Sequence, residues 1–176
     1  MICGENIVLR AVEDRDLELL RKWRNHPDLM PYHFCPLPVT EMGQRRWYEK
    51  QCSDTRNVVL IVANKEQVAV GYTLIKEIDH KNRLAEIGIH LDPAFHGKGY
   101  GKDAFLTLMR YCFHELNLHR IFLLVFAFNE RAIHLYQRLG FKEDGRMREA
   151  YFSQNRYHDV VVMSMLENEF VAIQSD

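Results

Sequence analysis

What this chain lacks narrows its function first. No apolar run is long: the longest goes only from Ile121 to Phe128, far short of the ~20 residues that cross a bilayer as a helix. Charge of one sign is missing too, since 23 basic residues face 24 acidic ones and leave a net charge of −1. Without a positive field, nucleic acid is not expected as a partner, and no membrane surface is either. Cys3, Cys35, Cys52 and Cys112 are scattered and form no Cys-x-x-Cys pair, so neither a disulfide framework nor a zinc site is expected. The nine histidines show no ligand spacing, and no metal is expected. The stretch Met1-Ile2-Cys3-Gly4-Glu5-Asn6 has no basic segment followed by an apolar one. That predicts a protein without a secretory leader, reduced and cytoplasmic.

Proline is uneven rather than absent. Four of the five prolines fall within residues 26–38, a segment that can be neither regular helix nor central strand. Around it the periods are regular. Ile7, Leu9 and Ala11 alternate with Val8, Arg10 and Val12 as a first strand. Asp14 or its neighbour can cap a helix from about Asp16 to Asn25, with Leu17, Leu20 and Trp23 on successive turns. Thr40 offers an N-cap for a second helix through about Cys52. Two β-rich runs, 57–63 and 68–78, are joined by Asn64-Lys65-Glu66-Gln67 and followed by a turn at 79–82, which predicts an antiparallel meander. Ile121 to Phe126 reads as a continuous apolar strand with both faces covered, parallel to a strand at 84–91. Asn129 can cap a helix bearing Ala132, Leu135, Tyr136 and Leu139, ended by Gly140. Residues 141–147 and 156–165 form the last strand pair, around Ser153-Gln154-Asn155. The order predicts one mixed α/β domain over residues 1–170, with 171–176 as a tail.

Glycine is sparse, nine residues in all, yet Gly97, Gly99 and Gly101 stand at every second position. They join the strand carrying Ile87, Ile89 and Leu91, closed by Pro93, to an amphipathic helix carrying Phe105, Leu108, Met109, Cys112, Phe113 and Leu116. A glycine-rich turn entering a helix N-terminus gathers uncovered N–H groups and the positive end of the dipole, which together suit a phosphate. Lys98 and Lys102 add charge there. A P-loop is excluded, because Gly101-Lys102 is followed by Asp103 rather than serine or threonine. A dinucleotide fingerprint matches at Gly99, Gly101 and Ala104, but that fold needs several βαβ units and this chain offers one. A nicotinamide-dependent oxidoreductase stays open as an alternative class.

His96-Gly97-Lys98-Gly99-Tyr100-Gly101 resembles the acetyl-CoA signature of the GNAT N-acetyltransferases, Gln/Arg-x-x-Gly-x-Gly/Ala, with His96 as the departure. Asn129-Glu130-Arg131-Ala132 through Tyr136 to Gly140-Phe141 resembles the family's second signature. Trp23-Arg24-Asn25 and Tyr157-His158-Asp159-Val160 are similar to the branch of ribosomal-protein alanine and spermidine acetyltransferases. The resemblance implies a three-layer α/β (α+β) fold around a central, splayed, mostly antiparallel sheet. Acetyl-CoA is the implied co-substrate, a small-molecule amine the acceptor, and a homodimer or larger homo-oligomer the assembly.

The resemblance also implies roles. The turn from His96 through Gly97, Lys98, Gly99, Tyr100 and Gly101 to Lys102 would hold the pyrophosphate. Ile89, His90 and Leu91 would hydrogen-bond the pantetheine arm past a bulge at Gly88. Asn129 and Ala132 would contact the cofactor. Tyr136 would protonate the departing thiolate, although it also lies on the helix's apolar stripe as a core residue would. Glu86 is the expected base, with His90 as a second candidate. Tyr32, His33 and Phe34 would wall the acceptor, and Glu41, Glu77 and Glu86 would meet its charge. Spermidine is the favoured acceptor. An N-terminal alanine of a ribosomal protein, a nucleotide-linked amino sugar and a non-catalytic acyl-CoA sensor remain alternatives.

Overall fold

Alternation and capping account for most of the elements. The structure, a computed structural model, describes residues 1–35 and 37–174, with the side chains of 173 and 174 left aside. In chain order the elements are β1 (Ile2–Cys3), β2 (Ile7–Ala11), α1 (Leu17–Arg24), α2 (Glu41–Gln51), β3 (Val58–Asn64), β4 (Ala69–Asp79), β5 (Leu84–Leu91) and α3 (Tyr100–Arg110). They continue with β6 (Arg120–Phe126), α4 (Glu130–Arg138), β7 (Lys142–Ser153), β8 (Arg156–Leu166) and α5 (Glu167–Gln174). Two compact units share these elements, one of Met1–Glu77 with Gly88–Leu108, the other of Ile78–Ile87 with the chain from Met109 on.

In the first unit the strand order is β1-β2-β3-β4, all antiparallel. The expected meander is there, with Ile61 opposite Tyr72 and Val59 opposite Leu74. Leu20 and Trp23 of α1 pack with Val59, Ile61, Tyr72 and Leu29 into one buried cluster, where each aliphatic side chain contributes about 1.5–3 kcal/mol by leaving water. Thr40 caps α2 as read, its hydroxyl accepting from the N–H of Gly43 at 3.0 Å. One carboxylate behaves differently from the expectation. Asp16 is buried and receives two bonds from Arg10, at 2.7 and 2.8 Å, so a 3₁₀ turn at Asp14–Asp16 precedes α1 and the helix starts at Leu17.

In the second unit the order is β5-β6-β8-β7. β5 and β6 run parallel through Leu84↔Arg120, Ala85↔Ile121 and Glu86↔Phe122, and β6–β8 and β8–β7 are antiparallel. Gly88 stands two residues beyond the last of those parallel pairs. β6 is not equally covered on both faces: Ile121, Leu123 and Val125 are buried while Phe122 and Leu124 are half-buried. The last hairpin is longer than the apolar pattern suggested, because its outer residues are exposed and polar. Its turn takes positive φ at Gln154 (49°) and Asn155 (60°), the pair that a two-residue hairpin of this hand requires. The helix that begins as α3 ends in a π-helical turn, Tyr111–Glu115. That turn shifts the stripe, so Leu118 is fully buried while Leu116 is only half-buried. Where a tail was expected from residue 171, α5 continues to Gln174 and is anchored by Phe170, whose ring lies 5.1 Å from that of Phe113; residues 175 and 176 of that tail lie outside the described residues. Among the described residues no helix is long and apolar enough to cross a membrane, and none groups three or more metal-ligating side chains.

Candidate functional site

The glycine turn forms because each residue around it has a local reason to be where it is. Pro93 ends β5, and the carboxylate of Asp92 accepts from the N–H of Ala94 at 2.9 Å, capping a 3₁₀ turn at Pro93–Phe95. His96 reaches back so that its Nε2 lies 3.2 Å from the carbonyl oxygen of Leu91. Gly97 and Gly99 then take left-handed φ of +76° and +82°, with nothing within 4 Å of where a side chain would begin. That combination bends the backbone back on itself and leaves room for a group to approach it closely. α3 starts at Tyr100, so its first N–H groups have no partner within the helix. Lys98 hangs 4.9 Å over the ring of Phe95, and Lys102 is exposed. Asp103, the one acidic residue of the first turn, accepts instead from the backbone N–H groups of Glu5 and Asn6. The cradle is therefore open and positive, with strand residues Ile89, His90 and Leu91 half-buried just before it.

His90 makes contacts that its place on β5 did not announce. Its Nδ1 lies 3.1 Å from Nε2 of His33, with the rings edge to face. Its own face stacks on Tyr72 at 4.8 Å, Tyr72 lies parallel to Trp23 at 6.1 Å, and the Trp23 indole N–H donates to Asp92 at 2.8 Å. Burial and the Arg24 guanidinium bring the His33 imidazole down to about 4. Burial, His33, Arg24 and Lys76 hold His90 well below its ordinary value. Both rings are neutral at neutral pH. Burial likewise pushes the Tyr72 phenol up.

The rest of the expected acceptor wall divides. Tyr32 and Phe34 are 43% and 41% exposed on either side of the buried His33. Their segment is held by Asn25, which donates to the carbonyl of Val39 at 2.8 Å and accepts from its N–H at 2.7 Å. Glu41 lines a pocket with Asp14, Leu17, Glu18, Arg21, Gln44 and Arg45, in which Arg21 binds Glu18 and Arg45 binds Asp14. Glu77 sits elsewhere, at φ 51° near the end of β4, 3.8 Å from Arg56. No described contact joins Glu77 to Glu41, to the histidine pair or to the turn.

In the second unit, Asn129 caps α4, its side-chain oxygen accepting from Ala132 at 3.3 Å, and Gly140 ends the helix at φ +89°. Tyr136 is 9% exposed with Phe141 at 6.0 Å, and burial pushes its phenol up to about 12. Glu86 is half-buried on β5. Sequence reasoning missed Arg24, Tyr72 and Asp92 as parts of the site. Trp23-Arg24-Asn25 was a visible motif, and its three members act separately. The indole holds Asp92, the guanidinium faces the two histidines, and the amide holds Val39.

The family model described as the acetyltransferase (GNAT) domain matches residues 6–142. The spermidine N(1)-acetyltransferase of Vibrio cholerae is 31% identical over 169 residues, covering 96% of this chain and 97% of the relative. That of Escherichia coli K12 is 29% identical over 172 residues, covering 98% and 92%. The crystal structure of the spermidine N-acetyltransferase from Vibrio cholerae in complex with CoA and spermine superposes with a TM-score of 0.91 at 31% identity, covering 96% of this chain and 99% of that one.

Proposed function

The chain belongs to the GNAT acetyltransferase family and is an acetyl-CoA-dependent N-acetyltransferase; on that premise we propose that its acceptor is a primary amine of a polyamine such as spermidine. The full-length similarity to two spermidine acetyltransferases supports this acceptor. The observation that carries the reaction is the open, left-handed glycine turn leading into α3.

The reaction joins a neutral amine to a thioester carbonyl, removes a proton from the nitrogen and returns one to the sulfur. In this reading the N–H groups from Gly97 to Lys102 grip the pyrophosphate, with the helix dipole and the two lysines opposing its charge. His96 stands where the family signature has glutamine or arginine, and its bond to Leu91 fixes the entry of the turn. The backbone of Ile89, His90 and Leu91 bonds the pantetheine and polarises the thioester carbonyl, where a donor aimed at the developing oxyanion counts most. Asn129 and Ala132 contact the cofactor, and Tyr136 gives its proton to the thiolate. Glu86 is the first candidate for the base. Tyr32, His33 and Phe34 line the acceptor's path, with Glu41 and Glu77 attracting its distant ammonium groups.

Reduced Cys3, Cys35 and Cys52, all exposed, suit a cytoplasmic protein. Exposed Phe152 and Tyr157, packed together beside the β7–β8 turn, suit assembly of several copies.

The deciding experiment follows free-thiol release from acetyl-CoA with spermidine, spermine, an alanine-starting ribosomal peptide and an amino-sugar nucleotide. Fastest turnover of spermidine or spermine is expected. Preference for the peptide or the nucleotide replaces the acceptor and keeps the reaction. Binding of acetyl-CoA with no turnover of any amine favours a sensor.

A further inference from the structure

The histidine pair has more structure around it than a wall of an acceptor pocket needs. His33 comes from the proline-rich segment and His90 from β5, 57 positions apart, yet two of their nitrogens meet at 3.1 Å. His90 cannot turn freely, because Tyr72 stacks on its face and is itself backed by Trp23, which Asp92 holds through the indole N–H. Two cations bear on the pair, Arg24 from α1 on both rings and Lys76 from β4 on His90, and the phenol ring of Tyr72 stacks on His90. Two neutral imidazoles in contact leave one arrangement that serves chemistry. His90 donates its Nδ1 proton to Nε2 of His33, and Nε2 of His90 is then an acceptor.

We propose that His90 and His33 form a relay that removes the proton from the acceptor nitrogen during attack on the thioester, with His90 touching the amine and His33 positioning it and taking up its Nδ1 proton. The relay rests on the acetyl-transfer reading above and supplies it with a base other than Glu86. As the nitrogen bonds to the carbonyl carbon, its N–H bond breaks and the proton joins Nε2 of His90. The Nδ1 proton of His90 passes to Nε2 of His33. The C–S bond breaks, and the thiolate takes a separate proton from Tyr136, so atoms and charge balance. Once the amide has left, the proton on Nε2 of His33 returns to Nδ1 of His90 and the Nε2 proton of His90 leaves to water. Arg24 and Lys76 favour that loss by repelling the imidazolium, and the pair is neutral again in its starting tautomer. The same two cations disfavour an ammonium ion and favour the free amine that attack requires.

The test uses the full chain and whichever amine the wild type acetylates fastest. His90→Asn places an amide near Nδ1, and His33→Gln places one near Nε2, so each keeps a polar contact while ending the relay. Each is expected to lower kcat about 100-fold, with acetyl-CoA affinity unchanged. The double variant should be no slower than either single one, and added imidazole should restore turnover to His90→Gly. A kcat within about threefold of wild type in either variant, or additive losses that imidazole does not relieve, overturns the relay. A second arm needs no turnover: nitrogen NMR of labelled histidines near pH 7 must find both rings neutral and sharing one N–H···N bond. An imidazolium at either position overturns the proposal even if no amine in the panel is a substrate, an outcome that on its own would sink only the acceptor reading.

Discussion

At Tyr136 burial has two consequences that pull on the same hydroxyl. It packs the ring near Phe141, and it pushes the phenol up to about 12. A phenol raised this far is fully protonated at neutral pH, so it can donate but cannot serve as a base. It also holds its proton tightly, so transfer is expected to wait until charge builds on the departing sulfur. Tyr136→Phe keeps the packing and removes the proton. We expect kcat to fall about 100-fold, with loss of the wild type's solvent deuterium isotope effect and acetyl-CoA affinity left intact by calorimetry. A variant with full kcat would make Tyr136 a core residue and nothing more. Residues like this one were legible because they stand in short signatures: Asn129 and Gly140 were read as the cap and end of α4, and the structure has them so. His33 and Arg24 were not legible as a unit with His90, because no local period reports a contact across such separations in the chain.

At the scale of elements, the proline-rich segment shows what sequence periodicity misses. Among the described residues of 26–38 the exclusion of helix and strand is right, apart from the short 3₁₀ turn at Met30–Tyr32; Pro36 lies outside the described residues. What ties the segment's two ends together is one amide, that of Asn25, bonded twice to Val39, while Leu29 and His33 anchor it from within. Net contributions near 1 kcal/mol per bond predict that Asn25→Ala lowers unfolding free energy by about 1–2 kcal/mol, measured in urea. Limited proteolysis should then cut residues 26–38 faster than any other segment. Equal cleavage rates in variant and wild type would count against this role. The strands and α2 were readable for the opposite reason, since alternation and a threonine cap are local. α5 escaped because Phe170 is its only fully buried described side chain, too little to make a stripe. The extent of β7 escaped because an exposed strand shows no alternation of burial.

For the molecule as a whole, the histidines set a pH dependence with a definite sign. His33 binds its proton at about 4 when folded, against about 6.5 when unfolded. Between those values the unfolded chain holds more protons, so folding stability is complete above about pH 6.5 and declines as the pH falls to about 4. On this account the unfolding free energy should be about 2 kcal/mol lower near pH 5 than near pH 7, with His90 adding in the same direction. Urea titrations at the two pH values measure it, and His33→Gln should flatten the difference. A difference that survives in the double variant His33→Gln/His90→Asn assigns it elsewhere. The division into two compact units, each drawn from two stretches of chain, was not readable from composition, because no linker or low-complexity tract marks it.

The carboxylate of Asp103, one turn into α3, is fastened to the backbone of Glu5 and Asn6. The segment that leads into β2 is thus bolted to the helix whose opening N–H groups are proposed to grip the donor. A change at Glu5 or Asn6 is therefore a change beside the proposed donor site in everything but sequence position.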